Sequence, residues 1–361
     1  SLFYGVSGYS SLVQKSATFD EMVHISSGYV ALTQDDYRVD HFHPPLWRMI
    51  LALPLLFDDA IVVNTEGKAW TEESYWFWCH RFFFEDNDAQ GLLRPARLIN
   101  LVSAIALGWF LFFWCTQLFG WRLGTLVLGL YALEPTIMAH ARLATTDLGA
   151  TWCFVLVLFF LRRFCQWRSI YNLGGLVVSL GLALTVKLSI LAIVPAILLV
   201  LCGRIYRSET WQGVFGTEIL RRGLPGKLCF GCGGVLFGVL VWLTVVWAVY
   251  GFRFAISPMG DASHTTVLLE RVLQSQSSFF MVINELRQAG WVPDAYGRAF
   301  LESLLYTGEG RSSYLLGSAG QGAWYYFPFA LLIKLPLSLW LLLLVALLPL
   351  LSQRTWRQHP W

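Results

Sequence analysis

The sequence predicts an all-α protein, a polytopic transmembrane helical bundle with extracytoplasmic loops carrying interfacial helices, and three observations lead there. Of 361 residues, 56% are hydrophobic and only 14% charged, against about 25% charge in average soluble chains. Several apolar runs reach the roughly 20 residues that cross a bilayer core. The 17 Trp and 14 Tyr suit aromatic belts at the two membrane surfaces. Membrane lipid is therefore an implied partner, and a net charge of +3 points to no nucleic acid.

The chain opens on a polar stretch dense in ionisable groups. Asp20 and Glu21 stand where a helix begins, and His24 follows Asp20 by one turn on the same face. A helix cap at Thr18 or Asp20 explains acids there equally well. The run Asp40-His41-Phe42-His43-Pro44-Pro45-Leu46 comes next. Residues 44–57 are apolar but short, reading as an interfacial helix, and residues 58–93 turn polar and acidic.

Crossing candidates by apolar length are 94–118, 122–140, 147–162, 169–187, 188–206, 228–251 and 324–351, the last kinked by Pro328 and Pro336. Arg122, Arg162, Arg163, Arg204 and Arg207 lie in or at the edges of the connections after the first, third and fifth of these. Those ends face the cytoplasm by the positive-inside rule. The opposite face then receives a first extracytoplasmic loop at 1–93, the turn before Asp147, the tight join at Lys187 and a cap at 252–323. A six-span bundle at 94–251 and a last span with a cytoplasmic tail at 324–361 complete the expected organisation, with a further span expected before Ser1.

Charges inside the apolar runs narrow the chemistry. An Asp at the bilayer centre costs about 2.5–3.5 kcal/mol, but Asp147 re-enters at a helix start, where the dipole favours an anion. It reads as a cap or as a functional acid. Lys187 interrupts a long apolar stretch, either snorkelling to the surface or meeting an anionic lipid phosphate, and Lys334 has the same two readings. His41 and His43, with His24 and Glu21, could assemble a metal site. Two histidines two apart are a weak signature, so no metal is assigned, with a divalent ion left open. Cys229 and Cys232 open an apolar helix and read as packing. Asp86-Asn87-Asp88 reads as a solvated loop.

Several segments together resemble the protein O-mannosyltransferase-like branch of the C-type glycosyltransferases, whose bacterial members include the lipid A aminoarabinose transferases. They are Phe19-Asp20-Glu21, Gly28-Tyr29 with Asp36-Tyr37-Arg38, His43-Pro44-Pro45-Leu46, Ala144-Thr145-Thr146-Asp147, and the run from Trp324 to Pro336. The resemblance implies a donor carrying a sugar on a polyprenyl phosphate and a protein, lipid or glycan acceptor. Asp20 is then the catalytic carboxylate, Glu21 its companion and Asp147 a second-loop acid. Lys187 contacts phosphate. His43 takes the place where aminoarabinose transferases carry Lys, which argues against aminoarabinose transfer. His24 and Arg38 join the substrate-binding set, and Tyr314 and Trp324 stack on sugar or prenyl groups or anchor the interface. Such a reaction needs a base for the attacking group and cations for the phosphate, and no general acid, because phosphate leaves as a stable anion. The resemblance also places the chain in a bacterial plasma membrane with its site extracytoplasmic.

Rival readings are a protein O-mannosyltransferase proper, a carrier with Asp147, Lys187 and Lys334 as a charge pathway, and a non-catalytic relative. Transporters commonly show inverted repeats and broken mid-membrane helices. Neither is visible here.

Overall fold

The structure is a computed structural model that describes residues 2–71, 75–167, 169–207, 211–212, 218–219, 224–259, 264–275, 277–309, 312–321 and 325–351. It is a bundle of helices, as the apolar runs imply. The first part comprises α1 (Leu2–Gln14), α2 (Phe19–Thr33), α3 (Leu46–Ala52, continued by a 3-10 turn at Leu53–Phe57), α4 (Lys68–Thr71) and α5 (Tyr75–Phe84). Then come α6 (Ala89–Phe119), α7 (Trp121–Leu133), α8 (Pro135–His140), α9 (Asp147–Gln166) and α10 (Ile170–Val186). A 3-10 turn at Leu188–Ile193 leads into α11 (Val194–Arg207), followed by α12 (Leu224–Val249). The chain continues through α13 (His264–Gln274), α14 (Ser278–Gln288), α15 (Asp294–Glu309), α16 (Tyr326–Lys334) and α17 (Leu337–Leu351). The hairpins β1–β2 (Trp211–Gln212, Glu218–Ile219) and β3–β4 (Ser312–Leu315, Ser318–Gln321) are both antiparallel.

Among the described residues, Ala89–Phe119, Asp147–Gln166 and Gly231–Val249 are long and apolar enough to cross a membrane. The helices α16 and α17 form a further candidate bent by 104°, with Pro336 at the break, as the sequence suggests. The other expected spans are shorter than their apolar runs. Glu134 precedes a proline and leaves helical geometry, so α7 stops at Leu133. Lys187 is extended at φ −154°, which ends α10 after 17 residues and sends the chain into a 3-10 turn. Conversely α6 begins earlier than expected, because Asp88 accepts from the N–H groups of Gln90 at 3.1 Å and Gly91 at 2.9 Å.

Helix α12 shows what surrounds the bundle. Val235, Leu236 and Leu240 are 53%, 60% and 54% exposed among the described residues, the condition of a helix apolar on all sides that faces hydrocarbon. The main core is built by other helices, where Ile25 and Val30 of α2, Leu51 of α3, Phe82 and Phe83 of α5 and Leu92, Leu93 and Ala104 of α6 are buried. The 44–57 segment contributes Trp47, Leu51, Ala52 and Leu55 to that core. A second cluster joins Tyr37 of the first loop to Val246 and Tyr250 at the end of α12 and Tyr296 of α15.

Helices α2 and α3 approach until their backbones nearly touch. A Cβ on Gly28 would meet the Arg48 carbonyl oxygen at 2.2 Å. Gly28→Ala is therefore expected to force the helices apart at a cost of about 1–3 kcal/mol, read as a lowered unfolding temperature in detergent. An unchanged transition would mean that α3 shifts freely.

Candidate active site

Helix α2 starts with two adjacent acids whose fates differ. Thr18 is the N-cap, with extended backbone, and its N–H and hydroxyl donate to Glu21 Oε2 at 2.9 and 3.0 Å. Capping thus falls to Thr18 and Glu21, not to Asp20. Asp20 is exposed, and among the described residues its carboxylate carries no hydrogen bond or ion pair. Glu21 is fully buried.

What holds Glu21 is Arg97, just over two turns into α6. The guanidinium meets the carboxylate through two bonds of 2.7 Å each. It also donates to the carbonyls of Leu12, Lys15 and Ser16 at 2.8–2.9 Å, satisfying acceptors orphaned where α1 ends. Glu21 Oε1 further accepts from the Ala144 N–H at 2.8 Å. Burial by itself would raise the Glu21 carboxyl, but the Arg97 bonds and the Thr18 and Ala144 N–H groups outweigh it and hold it below its ordinary value. One buried pair therefore ties the end of α1, the start of α2, α6 and the turn before α9 together.

That turn delivers Asp147. The residue is the first of α9 with Thr146 as N-cap, so its side chain is free to turn away from the helix. Oδ1 accepts from Lys187 Nζ at 2.6 Å, Oδ2 accepts from Thr145 Oγ1 at 3.3 Å, and His140 Nδ1 stands 3.5 Å from Oδ2. Lys187 reaches across because the chain is extended at the end of α10. All three side chains are partly exposed, at 43% for Asp147, 33% for Lys187 and 44% for His140. Asp147 and Lys187, each with two readings in the sequence, are thus each other's partner. The Glu21–Ala144 bond fixes this pair to the same frame that displays Asp20.

The other expected residues are distributed around the first loop. His24 is buried on α2, and Asp40 and His43 come up beside it. His43 Nδ1 lies 3.1 Å from Asp40 Oδ1, and His24 Nδ1 lies 3.6 Å from Asp40 Oδ2. Arg48 of α3 stands 3.1 Å from Asp40 Oδ2 and donates to Ser27 Oγ at 2.6 Å and to the Asp40 carbonyl at 3.0 Å. Burial would raise the Asp40 carboxyl, but the Arg48 charge and the histidines hold it well below the usual carboxylate range. Burial pushes His24 down despite Asp40.

Two of the four metal candidates go elsewhere. Glu21 is committed to Arg97, and His41 turns to Glu302 of α15, Nε2 to Oε2 at 3.1 Å. Asp40 replaces them as the carboxylate that His24 and His43 share, and the three ligand atoms lie within 4.8 Å of one another. Against burial, the Glu302 bond and charge lift the His41 imidazole above its ordinary value. Arg38 is buried, bidentate to Asp36 at 2.7–3.0 Å, with its guanidinium 5.1 Å over the Trp70 ring. Asp36 also accepts from Ser257 at 2.7 Å, so this cluster clasps the first loop to the 252–259 segment. Tyr314 is 71% exposed on β3. Trp324 lies outside the described residues.

Arg97, Arg48, Asp40 and His140 are the residues that the sequence reading did not single out. Arg48 carried a signal, being a lone charge within an apolar run, and Arg97, with Arg94 three residues before it, lies at the start of one; a charge so placed demands a partner. Asp40 opens the run to Leu46 noted in the sequence, without a role assigned there, and His140 carried no signal beyond its residue type.

Residues 77–215 match the family model described as dolichyl-phosphate-mannose-protein mannosyltransferase. No curated protein and no solved structure matches the chain. The matched residues include Arg97, Asp147 and Lys187, whereas Asp20, Glu21 and His43 precede them. On a membrane-helical bundle, that match over part of the chain supports a likeness to C-type, mannosyltransferase-like membrane glycosyltransferases.

Proposed function

We propose that the protein moves a monosaccharide from a polyprenyl-phosphate donor to a protein, lipid or glycan acceptor at the extracytoplasmic face, in one displacement with inversion. The observation that carries this reading is the Asp147–Lys187 pair, held by the Glu21–Ala144 bond to the helix start that displays Asp20.

Asp20 is the base. Its carboxylate is accessible and spends no lone pair on the fold, so it accepts the proton of the acceptor hydroxyl or amine as that group attacks the anomeric carbon. The bond from that carbon to the phosphate oxygen breaks, and the lipid phosphate leaves as an anion. Lys187 uses one ammonium N–H on Asp147 and presents its remaining donors to that phosphate. Asp147 aims Lys187, and half-exposed His43 adds a contact. Glu21 supports the reaction from the frame, since every bond it makes is already spent on protein groups. The domain limits follow the sequence: loop 1–93, bundle 94–251, cap 252–323, last span and tail 324–361, in a bacterial plasma membrane.

Membranes carrying the chain and a panel of radiolabelled polyprenyl-phosphate sugars provide the test. Release of lipid phosphate with at least one donor is expected. No release with any donor, from a chain shown to be inserted, would refute transfer. Lys187→Ala removes a charge-assisted bond of about 1.5–3 kcal/mol, so kcat/KM for the donor should fall by about 10- to 100-fold. Undiminished kcat/KM would take Lys187 off the phosphate.

A further inference from the structure

A second constellation lies one helical turn from Asp20. His24 on α2 and Asp40 and His43 on the following loop each aim a ligand atom at one place, all within 4.8 Å of one another. The arrangement is incomplete as a hydrogen-bond network. Asp40 is held by Arg48 and His43, while His24 Nδ1, on a side chain only 8% exposed, stands 3.6 Å from Asp40 Oδ2, beyond hydrogen-bond distance, and makes no hydrogen bond. A buried imidazole nitrogen left unpaired is costly and uncommon in proteins.

The surroundings fix the three groups in place. Arg48 donates to the backbone carbonyls of both Asp40 and His43, which bends the loop so that its two ligand side chains face α2. Gly28 lets α3, and with it Arg48, come close enough to do so. Such outer contacts orient ligands in metal sites. The His43 side chain is 44% exposed, which leaves a path inward and an open position.

We propose that His24, Asp40 and His43 bind a divalent transition-metal ion, with three protein ligands and an open coordination position. Two imidazole nitrogens and one carboxylate oxygen suit zinc-like ions, whereas magnesium and calcium favour oxygen sets. On binding, His43 exchanges its bond to Asp40 for the ion, and His24 Nδ1 gains the partner it lacks. The Arg48 charge lowers the affinity below that of an unopposed set of these ligands. Next to Asp20, the ion would add positive charge for an anionic donor; that role rests on the transfer reading, and the site itself does not.

The full chain in detergent, stripped by chelation, is titrated with Co²⁺ and followed by its visible absorption and by calorimetry, with Zn²⁺ as competitor. One cobalt per chain, displaced by zinc, is expected. His43→Ala alters a half-exposed side chain and should weaken binding at least about 10-fold while the chain stays monodisperse. His24→Gln should weaken it likewise. His41→Ala, at the neighbouring histidine held by Glu302, should leave it unchanged. Absence of saturable cobalt binding, binding that survives His43→Ala, or equal loss in His41→Ala would overturn the site whatever the transferase assay shows.

Discussion

Asp20→Asn is expected to lower sugar transfer by about 10²- to 10⁴-fold, the range of a positioned general base, with membrane insertion and thermal stability unchanged. The reason is the separation of labour at the start of α2. Thr18 and Glu21 do the capping, so the Asp20 carboxylate supports no other group, and an amide of the same shape leaves the helix start intact. Asparagine has no basic lone pair to take the acceptor proton, so turnover should fall even at saturating donor. Release of lipid phosphate from radiolabelled donors, set beside an unfolding curve, checks both halves. Full turnover in Asp20→Asn would move the base elsewhere.

One residue further on, the expected result reverses. Arg97→Ala should destabilise the bundle by about 3–5 kcal/mol, the cost of breaking a buried ion pair by removing one partner. Glu21 would be left buried without its cation, and the carbonyls of Leu12, Lys15 and Ser16 would lose their donor together. Arg97→Lys should rescue little, because an ammonium cannot span two carboxylate oxygens and three carbonyls in the directions a guanidinium does. The measurement is thermal unfolding of the purified chain in detergent. A wild-type transition in Arg97→Ala would show that the pair does not hold the frame. Loss of activity in this variant would accompany loss of structure, and in Asp20→Asn it would not, which separates the framework role of Glu21, held by Arg97, from the chemistry of its neighbour Asp20.

Much was legible without coordinates. Low charge and long apolar runs established a membrane-helical protein, and Thr18 stood among the cap candidates for α2. Pro336 marks the bend before α17, and the early start of α6 is written in Asp88, a cap that the apolar-run criterion overlooks. Asp20, Asp147 and Lys187 stood out as ionisable groups at the borders of apolar segments. Sequence alone left each of the last two with a bland reading and a functional one. The structure pairs them.

What only the tertiary structure decided is which groups are spent and which are free. Local periodicity tells that Asp20 and His24 share a helix face, because that relation spans one turn. It says nothing of Glu21 meeting Arg97, a partner 76 residues away, or of Asp147 meeting Lys187, 40 residues away. Nor does spacing reveal that His41 leaves the histidine cluster for Glu302 while Asp40 joins it. Residue type and position thus determined that acids, histidines and cations gather in these segments. The pairing that leaves Asp20 open, locks Glu21 and completes the His24, Asp40 and His43 set depends on helix packing, because a buried charge is satisfied by whatever the fold brings within about 3 Å, not by its neighbours in sequence.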